Sequence, residues 1–337
     1  MAVYTEVGFD EAAKLLGTLG LGALTDLRGI EGGIENTNYF ATTDQGEWVL
    51  TLFERLTHAQ LPFYLHLMKH LAQHGVPVPD PQAKAEGIRV DPGEDDILHT
   101  LCGKPAAVVN RLCGQSVLAP GAAHCAAVGQ TLARAHLAAR DYALHQPNLR
   151  GLAWWNETVP QVLPHLSSEQ AALLTAELAF QNHTAASAAY AALPRGAVHA
   201  DLFRDNVMFV GTPQQPELSG FFDFYFAGVD TWLFDLAVAL NDWAIDWRSG
   251  QADAARTQAL LDAYQAVRPF TDAERRLLPA MLRAGAFRFW LSRLWDWHLP
   301  REASMLVPHD PTHFERVLRQ RIAAPLNVMH ALHTVPA

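Results

Sequence analysis

The hydrophobic pattern changes character near residue 110. Up to that point short strand-like runs surround one clear helix, whereas helical periodicity dominates the remainder and is interrupted by a short strand pair. Asn38 to Thr42 and Trp48 to Phe53 are rich in aromatic and β-branched residues, and the polar Thr43-Asp44-Gln45-Gly46-Glu47 separates them, so a β-hairpin is expected. Leu61, Leu65, Met68, Leu71 and Ala72 recur at helical spacing until Gly75, after which Pro77 and Pro79 bar continuation. A second hairpin is expected from Ile97 to Leu101 and Ala106 to Leu112, around the turn-like Cys102-Gly103-Lys104-Pro105. Its last strand leads into Cys113-Gly114, where a hinge would divide the chain into residues 1–112 and 113–337.

Beyond Pro120 the pattern is helical through Asp141. Ser167-Ser168-Glu169-Gln170 reads as a capping box opening a long helix that ends before Pro194, and Thr271-Asp272-Ala273-Glu274 as one opening Arg275 to His298. Pro311 sits near the start of a final helix. These elements predict an α+β fold with a small β-rich N-terminal lobe and a larger, mainly helical C-terminal lobe.

Composition narrows the classes. In 337 residues half are apolar and 18% charged, which suits a folded protein with a large core. The formal charge of −10 gives no general attraction to nucleic acid or to an anionic membrane, and no run approaches a bilayer-spanning length. Cys102, Cys113 and Cys125 cannot all pair and lack metal-site spacing, so a reduced, cytoplasmic setting is expected. Only four lysines occur, Lys14, Lys69, Lys84 and Lys104, which limits any chemistry that needs one.

The segment from Ala197 to Val210 carries the strongest chemical signal. Apolar shoulders flank a polar His199-x-Asp201-x-x-x-x-Asn206, and Phe222-Asp223-Phe224 follows another strand-like run. Phosphoryl transfer to an alcohol needs a carboxylate that orients the hydroxyl and takes its proton, together with oxygen ligands for Mg²⁺ on the nucleotide. Asp201 suits the first role, and Asn206 and Asp223 the second, because Mg²⁺ prefers hard oxygen donors. His199 is then expected to position the loop. Asp and Asn alone would mark only turns; their ordered spacing between strands is what points to a site. No Gly-x-Ser-x-Gly elbow supports a serine hydrolase, and His66 and His70 lack the acidic partner of a His-Glu-x-x-His metal site.

With these residues in hand, nearly the whole chain resembles the aminoglycoside phosphotransferase branch of the protein-kinase-like superfamily. The resemblance extends to Trp232-Leu233-Phe234-Asp235-Leu236-Ala237, where it implies that Asp235 supports the catalytic loop. Within that branch the segments Gly32 to Phe40, Trp48 to Glu54, His199 to Asn206, Asp223 to Tyr225 and Leu240 to Trp243 are similar, in order, to the bacterial homoserine kinases. What this implies is transfer of the ATP γ-phosphate to L-homoserine, with Asp201 as base and Asn206 and Asp223 as magnesium ligands. Another small-molecule kinase, for an aminoglycoside, choline, ethanolamine or a sugar derivative, is the alternative, and a silent nucleotide-binding protein is a third reading.

In the same context Gly33, Asn36 and Asn38 are expected to meet phosphate, and the strand carrying Asn110 and Leu112 to lie beside the adenine. A typical kinase has a lysine on the third strand and a helical Glu partner, but here Thr51 stands in the strand and the Ala59 to His74 segment has no acid. Lys104 and Arg204 are candidate replacement cations, with a solvated turn lysine and a structural arginine as competing readings. For the acceptor, Arg288 or Arg293 is a candidate for the carboxylate and Asp242 or Asp246 for the amine. Oligomeric state is not legible.

Overall fold

The computed structural model describes residues 5–30, 36–87, 95–299 and 308–325. It divides into two units, Met1–Cys113 and Gly114–Ala337.

In the first unit the elements run α1 (Phe9–Thr18), β1 (Leu24–Gly29), β2 (Asn36–Thr43), β3 (Gly46–Phe53), α2 (Pro62–Gln73), β4 (His99–Leu101) and β5 (Lys104–Asn110). The strands form one antiparallel sheet in the order β1-β2-β3-β5-β4. Strand β2 shows the alternation that makes one face of a sheet apolar: Thr37, Tyr39, Ala41 and Thr43 are buried and the residues between them less so. Its turn into β3 is only Asp44-Gln45, with Thr43 paired to Gly46. The Asp44 carboxylate accepts the Ala23 N–H at 2.8 Å, and a Cβ on Gly22, whose φ is +91°, would lie 2.1 Å from that oxygen. Glycine is therefore required there.

The sheet core gathers Leu24, Tyr39, Ala41, Leu50, Leu52, Ala106 and Val108 with Ala12 and Leu16 of α1. Helix α2 starts with Pro62 at its first turn and stops in a left-handed cap: Gly75 has φ +75°, and the Gly75 and Val76 N–H groups donate to Ala72 and Leu71 at 3.0 Å each. Helix α1 and strand β1 were not expected from the sequence.

The second unit comprises α3 (Ala122–Ala138), α4 (Leu152–Val162), α5 (Ser168–Ala185), α6 (Ala188–Ala191), β6 (Arg195–Val198), β7 (Val207–Thr212), β8 (Gln215–Phe221), β9 (Gly228–Thr231), α7 (Trp232–Trp243), α8 (Ala254–Val267), α9 (Asp272–His298) and α10 (Thr312–Ala323). Both capping boxes open the helices expected of them: Ser167 and Thr271 accept the N–H groups of Gln170 and Glu274 at 3.3 Å. The first of these helices ends at Ala185, and the short α6 fills part of the interval before Pro194. Two small antiparallel sheets, β6 with β9 and β7 with β8, carry the polar loops of the motif. Helix α7 is buried over its entire length and packs on α9, which also supports α10. Helices α3 and α8 touch so closely that a Cβ on Gly129 would lie 2.2 Å from the Leu260 carbonyl oxygen.

Candidate active site

Strands β6 and β7 hold the loop 199–206 from both ends, and β8 and β9 hold 222–227. Hydrogen bonds then knit the two loops together. The Asn206 carbonyl accepts the Phe222 N–H at 3.0 Å, and the Asn206 side-chain amide donates to the Asp201 carbonyl at 2.9 Å. That second bond uses the amide nitrogen, and the Asn206 Oδ1 is a hard oxygen donor. Asp223, one residue beyond Phe222, supplies a carboxylate from a left-handed backbone with φ +67°. A carboxylate and an amide oxygen on adjoining loops form a donor set that suits Mg²⁺.

His199 joins the same two loops through its ring. Nε2 lies 2.9 Å from the Phe222 carbonyl, which can only accept, so Nε2 carries the proton; Nδ1 then accepts the Asp201 N–H at 3.2 Å. Burial lowers its pKa below the ordinary histidine value and keeps the ring neutral, as this tautomer requires. Asp201 itself is pushed up to about 7, first by burial and then by Asp223, Asp205 and Asp242, with Arg288 opposing. A carboxylate near neutrality is well matched to accepting a hydroxyl proton.

Between His199 and Asp201 stands Ala200, at φ +63°. A non-glycine residue in that region is strained by roughly 1–2 kcal/mol and needs outside support. Asp235 provides it from the first turn of α7: its Oδ1 accepts the Ala200 N–H at 2.7 Å and its Oδ2 the His199 N–H at 2.9 Å. The side chain is fully buried, and burial alone would raise its pKa. Hydrogen bonds from His136 and from the Ala200 N–H outweigh that and hold it below the ordinary value. His136 Nε2 lies 3.0 Å from Asp235 Oδ2, its Nδ1 is 2.6 Å from the Tyr264 hydroxyl, and that hydroxyl accepts from Arg268 Nε at 2.9 Å. Arg268 pairs in turn with Glu274. A chain of side chains from α3, α8 and α9 thus ends on the backbone of the loop.

Other expected site residues are committed elsewhere. Arg204 grips Asp242 through Nε at 3.0 Å and Nη2 at 3.3 Å, its own N–H adds a bond of 2.8 Å to the same carboxylate, and its Nη1 donates to the Leu118 carbonyl. This bidentate pair occupies both side chains, so neither the phosphate role for Arg204 nor the amine role for Asp242 has support in the structure. Asp246 caps Ser249 at an exposed turn. Arg293 donates to the Asp310 carbonyl at 3.2 Å and lies over Phe314, whereas Arg288 is buried beside Phe226 and Phe289.

In the first unit Asn38 stands opposite Thr51, whose hydroxyl donates to its Oδ1 at 2.7 Å; Asn36 opens β2 opposite Phe53. Asn110 Oδ1 accepts the Asp80 N–H at 2.7 Å, and Leu112 follows the end of β5. Gly33 lies outside the described residues. Lys104 pairs with Glu54 and donates to Thr5 Oγ1 at 2.7 Å, while Thr37 donates to Glu54 at 2.6 Å. A lysine–glutamate pair therefore exists, but its cation comes from β5 and its acid from the residue after β3. The sequence reading missed Glu54; with Leu52 opposite Ala106, continuing the observed antiparallel register would set Glu54 opposite Lys104. His136 and Tyr264 had no comparable signal, because only folding brings them to Asp235.

Fold and site are those of a phosphotransferase. The chain belongs to the phosphotransferase enzyme family, whose model matches residues 26–270, and within it to the homoserine kinases. It is 66% identical to the homoserine kinase of Polaromonas naphthalenivorans, over 96% of this chain and 99% of that one. The homoserine kinase of Paraburkholderia xenovorans is 57% identical over 96% of both chains. Among solved structures, an amicoumacin kinase in complex with AMP-PNP and Ca²⁺ shares the fold at TM-score 0.63 and 17% identity, over 96% of this chain and 94% of its own. Among the described residues no helix is long and apolar enough to cross a membrane.

Proposed function

We propose that the protein transfers the γ-phosphate of ATP to the hydroxyl of L-homoserine, giving O-phospho-L-homoserine and ADP, a step of threonine biosynthesis. The observation that carries this reading is the Asp201, Asn206 and Asp223 set, tied together by His199 and Asn206, in a chain 66% identical to a homoserine kinase. The acceptor oxygen forms the new bond to phosphorus as the bond from phosphorus to the ADP oxygen breaks, and Asp201 takes the hydroxyl proton. Asp223 and the Asn206 Oδ1 would hold Mg²⁺, which would supply positive charge to the phosphate oxygens. His199 acts on the geometry of Asp201 and Asp223 and takes no part in proton transfer. Asp235 keeps Ala200 in its strained conformation.

Nucleotide recognition is assigned to residues 1–112, with Gly33, Asn36 and Asn38 toward phosphate, Lys104 as the phosphate cation held by Glu54, and the backbone at Asn110 and Leu112 toward adenine. Residues 113–337 carry catalysis and the acceptor. No disulfide joins Cys102, Cys113 or Cys125 among the described residues, which suits action in the cytoplasm. The test is phosphoryl transfer by the purified protein with ATP and Mg²⁺, read by ³¹P NMR, across homoserine, serine, threonine, choline and an aminoglycoside. Selective O-phosphohomoserine is expected; transfer only to another acceptor would overturn the substrate and leave the chemistry of the Asp201 loop standing.

A further inference from the structure

We infer that Arg288, on α9, is the specificity-determining residue that receives the carboxylate of the acceptor. This rests on the acceptor being homoserine. Arg288 is 3% exposed, and its Nε and Nη2 have no hydrogen-bond partner among the described residues. It lies 3.8 Å from the Phe289 ring centre and 4.9 Å from that of Phe226, the latter three residues beyond Asp223. No carboxylate of the described residues forms an ion pair with it.

Such a placement is expensive in a protein interior. An arginine kept only for packing is replaceable by an apolar side chain of similar volume, often with a gain in stability, whereas a buried charge with no counter-ion is strongly unfavourable. Burial pushes its pKa down to about 10, Asp201 and Asp296 pull the other way, and Arg150 and Arg293 add like charge. No acid of the described residues closes on it, and the partner that fits it is an anion carried by the ligand. Arg288 lies over Phe226, on the loop that Phe222 ties to Asn206 of the Asp201 loop, so that ligand presents a hydroxyl to Asp201 and a negative group to Arg288. A short amino acid bearing a terminal hydroxyl has both. Arg293 is the weaker candidate, since it already serves Asp310 and Phe314.

The experiment compares wild type, Arg288→Met and Arg288→Lys on L-homoserine and on 3-aminopropan-1-ol, which is homoserine without its carboxylate, measuring kcat, both KM values and thermal midpoint. Losing a charge-assisted, forked contact should lower kcat/KM for homoserine by roughly 100-fold in Arg288→Met. The value for 3-aminopropan-1-ol should fall far less, by no more than the loss of Arg288's charge near Asp201 causes, the KM for ATP should stay put, the thermal midpoint should not fall, and Arg288→Lys should lie between. An unchanged preference for homoserine over 3-aminopropan-1-ol in both variants overturns the inference while the homoserine reading stands. A rise in KM for ATP, or equal losses on both acceptors, overturns it in favour of a phosphate contact. Failure of wild type to use homoserine removes the parent reading and this inference together.

Discussion

Asp235 offers a sharp test of how the catalytic loop is held. Its carboxylate is fully buried and accepts three hydrogen bonds, from Ala200 at 2.7 Å, His199 at 2.9 Å and His136 at 3.0 Å. Asp235→Ala leaves three buried donors without an acceptor. At roughly 1–3 kcal/mol per stranded group, and with partial relaxation, the loss is about 3–6 kcal/mol, a large part of an ordinary domain's stability. Asp235→Asn is milder but not neutral. Its amide nitrogen must replace one of the two oxygens, and either choice faces a backbone N–H with another donor, at Ala200 or at His199. A cost of about 1–3 kcal/mol follows. The released Ala200 also has reason to leave φ +63°, so kcat should fall further than stability alone explains while both KM values change little. Urea unfolding followed by tryptophan fluorescence, with steady-state kinetics at saturating ATP, measures both. If Asp235→Ala unfolds within 0.5 kcal/mol of wild type, a threshold taken at about the size of ordinary surface effects, and keeps its kcat, the network is not what holds the loop.

Three further outcomes are expected. Asp223→Ala should weaken Mg²⁺-dependent nucleotide binding by roughly 10-fold or more with little change in Mg²⁺-free binding, as read by calorimetry. His313 is buried with neither ring nitrogen partnered among the described residues, and burial followed by Arg293, Arg316 and Arg204 depresses its pKa to about 4. A depressed histidine means that below pH ~6.5 the unfolded chain binds more protons than the folded one, so its contribution to stability is whole above that pH and is lost as pH falls toward 4; the drop in thermal midpoint between pH 7.5 and 5.0 should be smaller in His313→Gln. For Gly129→Ala, helix propensity alone favours alanine by ~1 kcal/mol, but the 2.2 Å approach to Leu260 forces α3 and α8 apart, and a net loss of about 1–3 kcal/mol in chemical denaturation is expected.

Legibility in the sequence followed the range of the interactions. The hairpin of β2 and β3, the capping boxes at Ser167 and Thr271 and the stop at Gly75 depend on neighbours a few residues apart, and each was readable. The α+β class and the phosphotransferase family were readable too, because the spacing of Asp201, Asn206 and Asp223 is itself a local property of two strand-flanked loops. Helix α1 and β1 escaped because both are short and lie among the glycines Gly17, Gly20 and Gly22, which weaken any periodic signal. The partners of Asp235 escaped for a different reason. His136 is 99 residues away and Tyr264 lies on yet another helix, so their alignment is a product of tertiary packing. The Arg204–Asp242 pair is intermediate: both side chains stood out as polar residues near the motif, yet nothing local told that they would neutralise each other.

Arg268 and Arg288 then show why counting partners separates scaffold from site. Both are buried arginines against aromatic rings. Arg268 bonds Tyr264 and Glu274, and that acid is itself fixed by the Thr271 cap, so every step of the chain from α9 to the Asp235 carboxylate is satisfied before any ligand arrives. A satisfied polar chain of this kind is stiff, because moving any member strands a neighbour. Arg288 has no such closure, although it lies near the same loop. If both charges served stability alone, the chain would have every physical reason to complete the second as it completed the first, or to replace it with an apolar side chain. The rigid network fixes where Asp201 can sit, and the open cation fixes what can be brought to it. Chemistry and selectivity are thereby carried by two arginines of opposite status, and substitutions should separate them: Arg268→Met should act on stability and kcat with every acceptor, whereas Arg288→Met should act on the choice among acceptors.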